Sequence, residues 1–144
     1  MTTKAWSIID QLAKDNLEIS RKKVLDANEA LNKISAQKIQ LYEMLNDYQS
    51  RLIKAQEISH SIDDNVSYRH FIKQVQDLIQ VIENEEKIAE QRLQTEEDKL
   101  IEALKEKKKS EFLIKRENDI VKRKNNSIEQ KSLDEIGITR FNHQ

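Results

Sequence analysis

The 144-residue chain has no cysteine, no proline and a single glycine, Gly137. Without cysteine there is no disulfide and no thiol chemistry, which fits a reducing compartment. Without proline, and with one glycine, the turns that a many-stranded fold needs are missing. The single glycine also excludes a glycine-rich phosphate loop. Aromatic residues make up 5%, and few of them interleave with the basic residues, so a nucleic-acid-binding surface is not expected. No apolar run approaches the roughly 20 residues that span a bilayer. The first residues lack the apolar core of a signal peptide. Together these absences lead to the expectation of a one-domain, soluble intracellular protein with no membrane insertion.

The residues that are present favour long helices. Charged residues make up 35% and hydrophobic residues 37%, and the net charge is −1. Alanine, leucine, glutamate, lysine, glutamine and arginine are good helix formers. Such a charged chain could also be disordered, but its aliphatic residues recur with a regular spacing.

From Trp6 a heptad runs with alternating steps of three and four. One set of seam positions reads Trp6, Ala13, Ser20, Ala27, Ile34, Leu41, Tyr48 and Ala55. The other begins at Asp10 and continues through Leu17, Val24, Leu31, Lys38, Leu45 and Leu52. The pattern stops near Ile58, where Ser59-His-Ser-Ile-Asp-Asp-Asn-Val-Ser67 supplies turn and cap residues. A second heptad then reads Ile72, Ile79, Glu86, Leu93, Leu100, Lys107, Ile114, Val121 and Ile128 in one set and Val75, Ile82, Ala89, Glu96, Ala103, Ser110, Glu117 and Lys124 in the other; it is clean to about Leu104 and becomes polar beyond it. The expected fold class is all-α: one domain of two long helices in an antiparallel coiled-coil hairpin. Helix one is expected over about 3–58, the turn over 59–67, helix two over about 68–136 and a tail over 137–144, with Gly137 as the helix stop.

A turn centred on Asp63-Asp64 sets Ala55 opposite Ile72, Tyr48 opposite Ile79, Ile34 opposite Leu93 and Trp6 opposite Val121. Small residues then face large ones, and Lys38 and Glu86 lie in adjacent layers. Sliding by one heptad sets Lys38 against Ile82 and Ile34 against Glu86, so the first register is the one expected. In that register helix two outruns its partner near position 126. The stretch Glu129–Ile136, with Leu133 and Ile136, then lies in an overhang that helix one does not cover.

Nothing in the pattern points to catalysis. His60, His70 and His143 have no spacing that would gather a metal, and no cofactor is expected. A general acid or base needs a cleft to shift its pKa, and a two-helix coil has none of its own. Charge on helix two is blocked. Glu83 to Glu102 make an acidic half, and Lys105 to Lys124 make a basic half that fits an acidic protein surface.

Three motifs in this order, "MLNDYQSRL" (44–52), "YRHFIKQVQDLI" (68–79) and "EQKSLDEI" (129–136), resemble those of the flagellar export protein family FliJ. The resemblance covers nearly the whole chain. It departs at Ile136-Gly137, where the family often continues with a helix-friendly apolar residue and alanine. It implies a cytoplasmic antiparallel coiled coil, similar to the central stalk of rotary ATPases, at the inner-membrane base of the flagellum. It also implies three partners: the hexameric export ATPase, the membrane export gate and the export chaperones. The matched positions are Gln130, Lys131, Asp134 and Glu135 on the ATPase side, to which the overhang adds Leu133 and Ile136. On the gate side they are Leu45, Tyr48, Phe71, Val75 and Leu78.

The resulting expectation is a non-enzymatic stalk subunit, monomeric when isolated. Two alternatives stand beside it: the equivalent stalk of a virulence type III secretion system, and a structural coiled-coil dimer with no ATPase partner.

Overall fold

The computed structural model describes the backbone of residues 3–58 and 62–142, and the side chains of 4–58 and 62–138. The described residues form two helices, α1 (Thr3–Ile58) and α2 (Ile62–Asn142), and no strand. The fold is an all-α helical hairpin. It comprises two compact units, Ser20–Lys99 and Met1–Ile19 with Leu100–Gln144.

Both ends of α2 differ from the sequence expectation. Ile62–Ser67, read as part of the turn, is helical. Asp63 and Asp64 lie in its first turn, where carboxylates oppose the positive end of the helix dipole and favour an early start. Residues 59–61 lie outside the described residues. At the other end, the expected stop at Gly137 and tail from 137 give way to continuous helix through Asn142. Glycine costs a helix interior only about 0.5–1 kcal/mol relative to alanine, too little to end a long helix without a further breaker.

In the Ser20–Lys99 unit the seam is the one that the heptads mark. Ala27, Val75, Ile79 and Ala89 are buried, and the seam positions between them are half-buried. The register is the one a heptad away from the expected one. Ser35 Oγ donates to Glu86 Oε2 at 3.0 Å, and Lys38 Nζ donates to Glu86 Oε1 at 2.8 Å. Tyr48 stacks on Phe71 with ring centroids 5.7 Å apart and planes at 15°. Ser35 is too short to reach Glu86 unless Ile34, beside it, faces Glu86. The objection to this register was Ile34 against Glu86 and Lys38 against Ile82. That objection fails because Lys38 and Glu86, in adjacent layers, reach along the seam and meet.

The unit formed by Met1–Ile19 and Leu100–Gln144 shows the same offset. Leu17 is buried in its seam. Asp10 Oδ1 accepts from Ser110 Oγ at 2.7 Å and from Lys107 Nζ at 2.8 Å. The expected register would have set Asp10 against Glu117, two like charges in one layer. Trp6 accordingly lies at the level of Ile114 rather than Val121, and Val121 is exposed. The last α2 side chain withdrawn from solvent is Glu117. Every described side chain from Asn118 to Ile138 is exposed, so the overhang begins about two turns earlier than the sequence count placed it.

Candidate functional site

The five gate-side positions belong to the Ser20–Lys99 unit, and they split by face. Val75, only 4% exposed, is a packing residue of the seam. Leu45 and Tyr48 are half-buried beside it. Phe71 and Leu78, at 46% and 53%, present their side chains outward. The stack of Tyr48 on Phe71 joins the two helices at this point, and the Arg51 guanidinium lies 5.9 Å from the centre of the Tyr48 ring. Arg51 also pairs with Asp47 one turn back, at 3.2 Å. The outward face continues along α2 through Val81 and Ile88, both exposed. Sequence reading passed over these two. Their spacing was the available signal, since 71, 78, 81 and 88 share one helix face outside the seam. Leu78 and Val81 flank a shallow depression with Gln74 and Asp77.

The ATPase-side positions all lie on the exposed end of α2, in the other unit. Leu133 is 63% exposed and Ile136 49%. Leu133 and Ile136 lie near one another on the helix surface, while Ile128 and Ile138, also exposed, fall on other sides of the helix. Gln130 Nε2 donates to Asp134 Oδ1 at 3.1 Å, one turn on, which holds two of the polar candidates in a fixed relation. Lys131 and Glu135 are exposed beside them. Leu133, Asp134, Gly137 and Ile138 line a shallow depression on this helix. A bare helical face of this kind offers apolar contacts and amide hydrogen bonds to a concave partner. It offers no enclosed chemistry.

Polar groups in or beside each seam carry the perturbed ionisations. Lys107, first, and Ser110 hold the Asp10 carboxyl below its usual range by hydrogen bonding to the charged form. Glu86 is lowered in the same way by Lys38 and then Ser35. Their partners shift upward: Lys107 chiefly through Asp10 and then Glu111, and Lys38 through Glu86. Tyr42 donates its hydroxyl proton to Glu83, and that bond raises its pKa. These groups are satisfied structural pairs rather than poised acids or bases. Among the described residues, no group of three or more His, Asp or Glu side chains is placed to hold a metal ion. No described helix is long and apolar enough to cross a membrane.

The sequence profile of the flagellar FliJ protein matches residues 7–144, essentially the whole chain. The chain belongs to the flagellar FliJ family. Comparison with curated proteins found no match, and comparison with solved structures found none. FliJ membership agrees with the all-α hairpin. It places the chain among flagellar type III export stalk proteins, which are structural proteins rather than enzymes.

Proposed function

We propose that this chain is the stalk subunit that binds the hexameric export ATPase of the flagellar type III apparatus. It promotes assembly and activity of the ring, and links it to the membrane export gate and the export chaperones. The observation that carries this reading is the run Asn118–Ile138, where α2 continues with every described side chain exposed and Leu133 and Ile136 outward. A slender helix with uncovered apolar side chains suits the inside of a ring, whose walls would remove them from water. Gln130, Lys131, Asp134 and Glu135 would supply the polar contacts around Leu133 and Ile136. The gate would meet Phe71 and Leu78 directly. Leu45, Tyr48 and Val75 would support that surface from the seam. The protein would act in the cytoplasm, at the inner-membrane base of the flagellum, without chemistry of its own.

The test is to add the protein to the export ATPase of the same cell, following ring assembly by light scattering and hydrolysis by phosphate release. Both should rise. If neither changes, the reading is wrong.

A further inference from the structure

Between Lys105 and Arg123, α2 sorts its charges by face. At 3.6 residues per turn, Lys105, Lys108, Lys109, Lys115, Arg116 and Arg123 fall within one arc of about 120°. That arc points away from the seam, where Lys107, Ser110, Ile114 and Glu117 are withdrawn from solvent. All six cations are exposed. Among the acidic residues of this stretch, only Asp119 shares the arc; Glu106 and Glu111 sit on the flanks and Glu117 lies at the seam. Ion pairs engage Lys107, with Asp10 and Glu111, and Lys105, with Glu102. In the middle of the cations stands Phe112, 64% exposed, with exposed Ile120 at the edge of the arc two turns on.

The shape of this face decides between anionic partners. It belongs to one helix and is convex, so a folded acidic protein would need a complementary groove to meet both of its edges. A broad, flat anionic surface meets cations along the whole stretch, which is about 28 Å long at about 1.5 Å per residue. We propose that this face adsorbs the protein to an anionic lipid bilayer. The six cations lie against the headgroups, and Phe112 enters the interfacial layer between them. Clusters of this size are drawn to anionic leaflets by charge. Two apolar side chains without the charges would bind only weakly. The face shares only its far end, from Asp119 to Arg123, with the run proposed for the ATPase, and the reversed positions 108, 115 and 116 lie before that run, so either reading can fail alone.

The test is sedimentation of the full chain with vesicles of phosphatidylcholine alone, or with about a third of phosphatidylglycerol. Binding is expected to the phosphatidylglycerol vesicles only. It should fall about tenfold or more as ionic strength rises from about 0.1 M to about 1 M, where screening shortens from about 10 Å to about 3 Å. Reversing Lys108, Lys115 and Arg116 to glutamate should cost about tenfold or more in affinity. Reversing the exposed Arg21, Lys22 and Lys23 makes the same change in net charge and should leave binding in place. Circular dichroism checks that both variants stay helical. Any of three results overturns the proposal: equal binding to phosphatidylcholine, equal loss in the two triple variants, or retention of duplex DNA while phosphatidylglycerol vesicles are ignored.

Discussion

Ser35 and Glu86 meet across the seam at 3.0 Å, and the short reach of the serine hydroxyl makes this contact specific for one register. The neighbouring pair Lys38–Glu86, at 2.8 Å, is compatible with both registers, because a lysine reaches a layer in either direction. The contact of Ser110 with Asp10 at 2.7 Å does for its own unit what Ser35 does here.

The register is checked with cysteine pairs inside the Ser20–Lys99 unit. Leu31→Cys with Ala89→Cys places both sulfurs in one layer of the observed register, and should give an intramolecular disulfide on mild oxidation. Leu31→Cys with Glu96→Cys belongs to the register one heptad away and should remain reduced. Crosslinking of the second pair in preference to the first would reverse the assignment.

Stability should fall in acid. Asp10 and Glu86 have folded-state pKa values below their unfolded ones, so each contributes stability that is present above its unfolded pKa. That contribution is lost as pH falls through the folded value. Lys38, Lys107 and Tyr42 are raised. Their contributions are complete below their unfolded values near pH 10 and vanish only as alkali deprotonates the folded state. Thermal melts should therefore be flat around neutrality and decline below about pH 4–5. Asp10→Asn should flatten the acid limb, and an unchanged limb in that variant would remove Asp10 from the explanation.

Glu96 occupies a seam position with Oε2 buried and without a hydrogen-bond partner, while Lys99 lies 3.8 Å from its other oxygen. A buried carboxylate oxygen left unsatisfied opposes folding. Glu96→Leu is expected to raise the melting temperature. A decrease would mean that the carboxylate has a stabilising role in the seam.

Leu133→Ala combined with Ile136→Ala should change folding stability by no more than about 0.5 kcal/mol, the ordinary scale for exposed positions. The same variant should lose the stimulation of the export ATPase. A clear drop in melting temperature would show that these side chains pack within the chain, and retained stimulation would remove them from the ATPase contact.

A methyl group added at Gly137 meets nothing within 4 Å. Because the site is helical and open, Gly137→Ala should stabilise this part of α2 locally by about 0.5–1 kcal/mol. The readout is slower amide exchange on either side of position 137. Faster exchange there would contradict the helix.

The heptads read from sequence match the structure closely. Every predicted seam position from Trp6 to Ala55, and from Ile72 to Glu117, is buried or half-buried, whereas the predicted continuation through Val121, Lys124 and Ile128 is exposed. Aliphatic spacing marks a helix face reliably because the side-chain period is a local property of the backbone. The exposed Leu133 and Ile136 were likewise legible, since any register leaves the longer helix uncovered at its end. The outward setting of Phe71 against the buried Val75 also follows from spacing alone.

Sequence by itself determined the fold class and the two seams. It did not determine how the seams align, because a slide of one heptad returns the same residues to the same faces. Tertiary structure made that choice through short-range contacts. Asp10 takes Ser110 and Lys107 instead of facing Glu117, and Glu86 takes Ser35 as well as Lys38. The helical start at Ile62 brings α2 into the same alignment. The physical reason is range: periodicity acts over a turn of helix, whereas register depends on polar groups far apart in sequence that must find partners once they leave water.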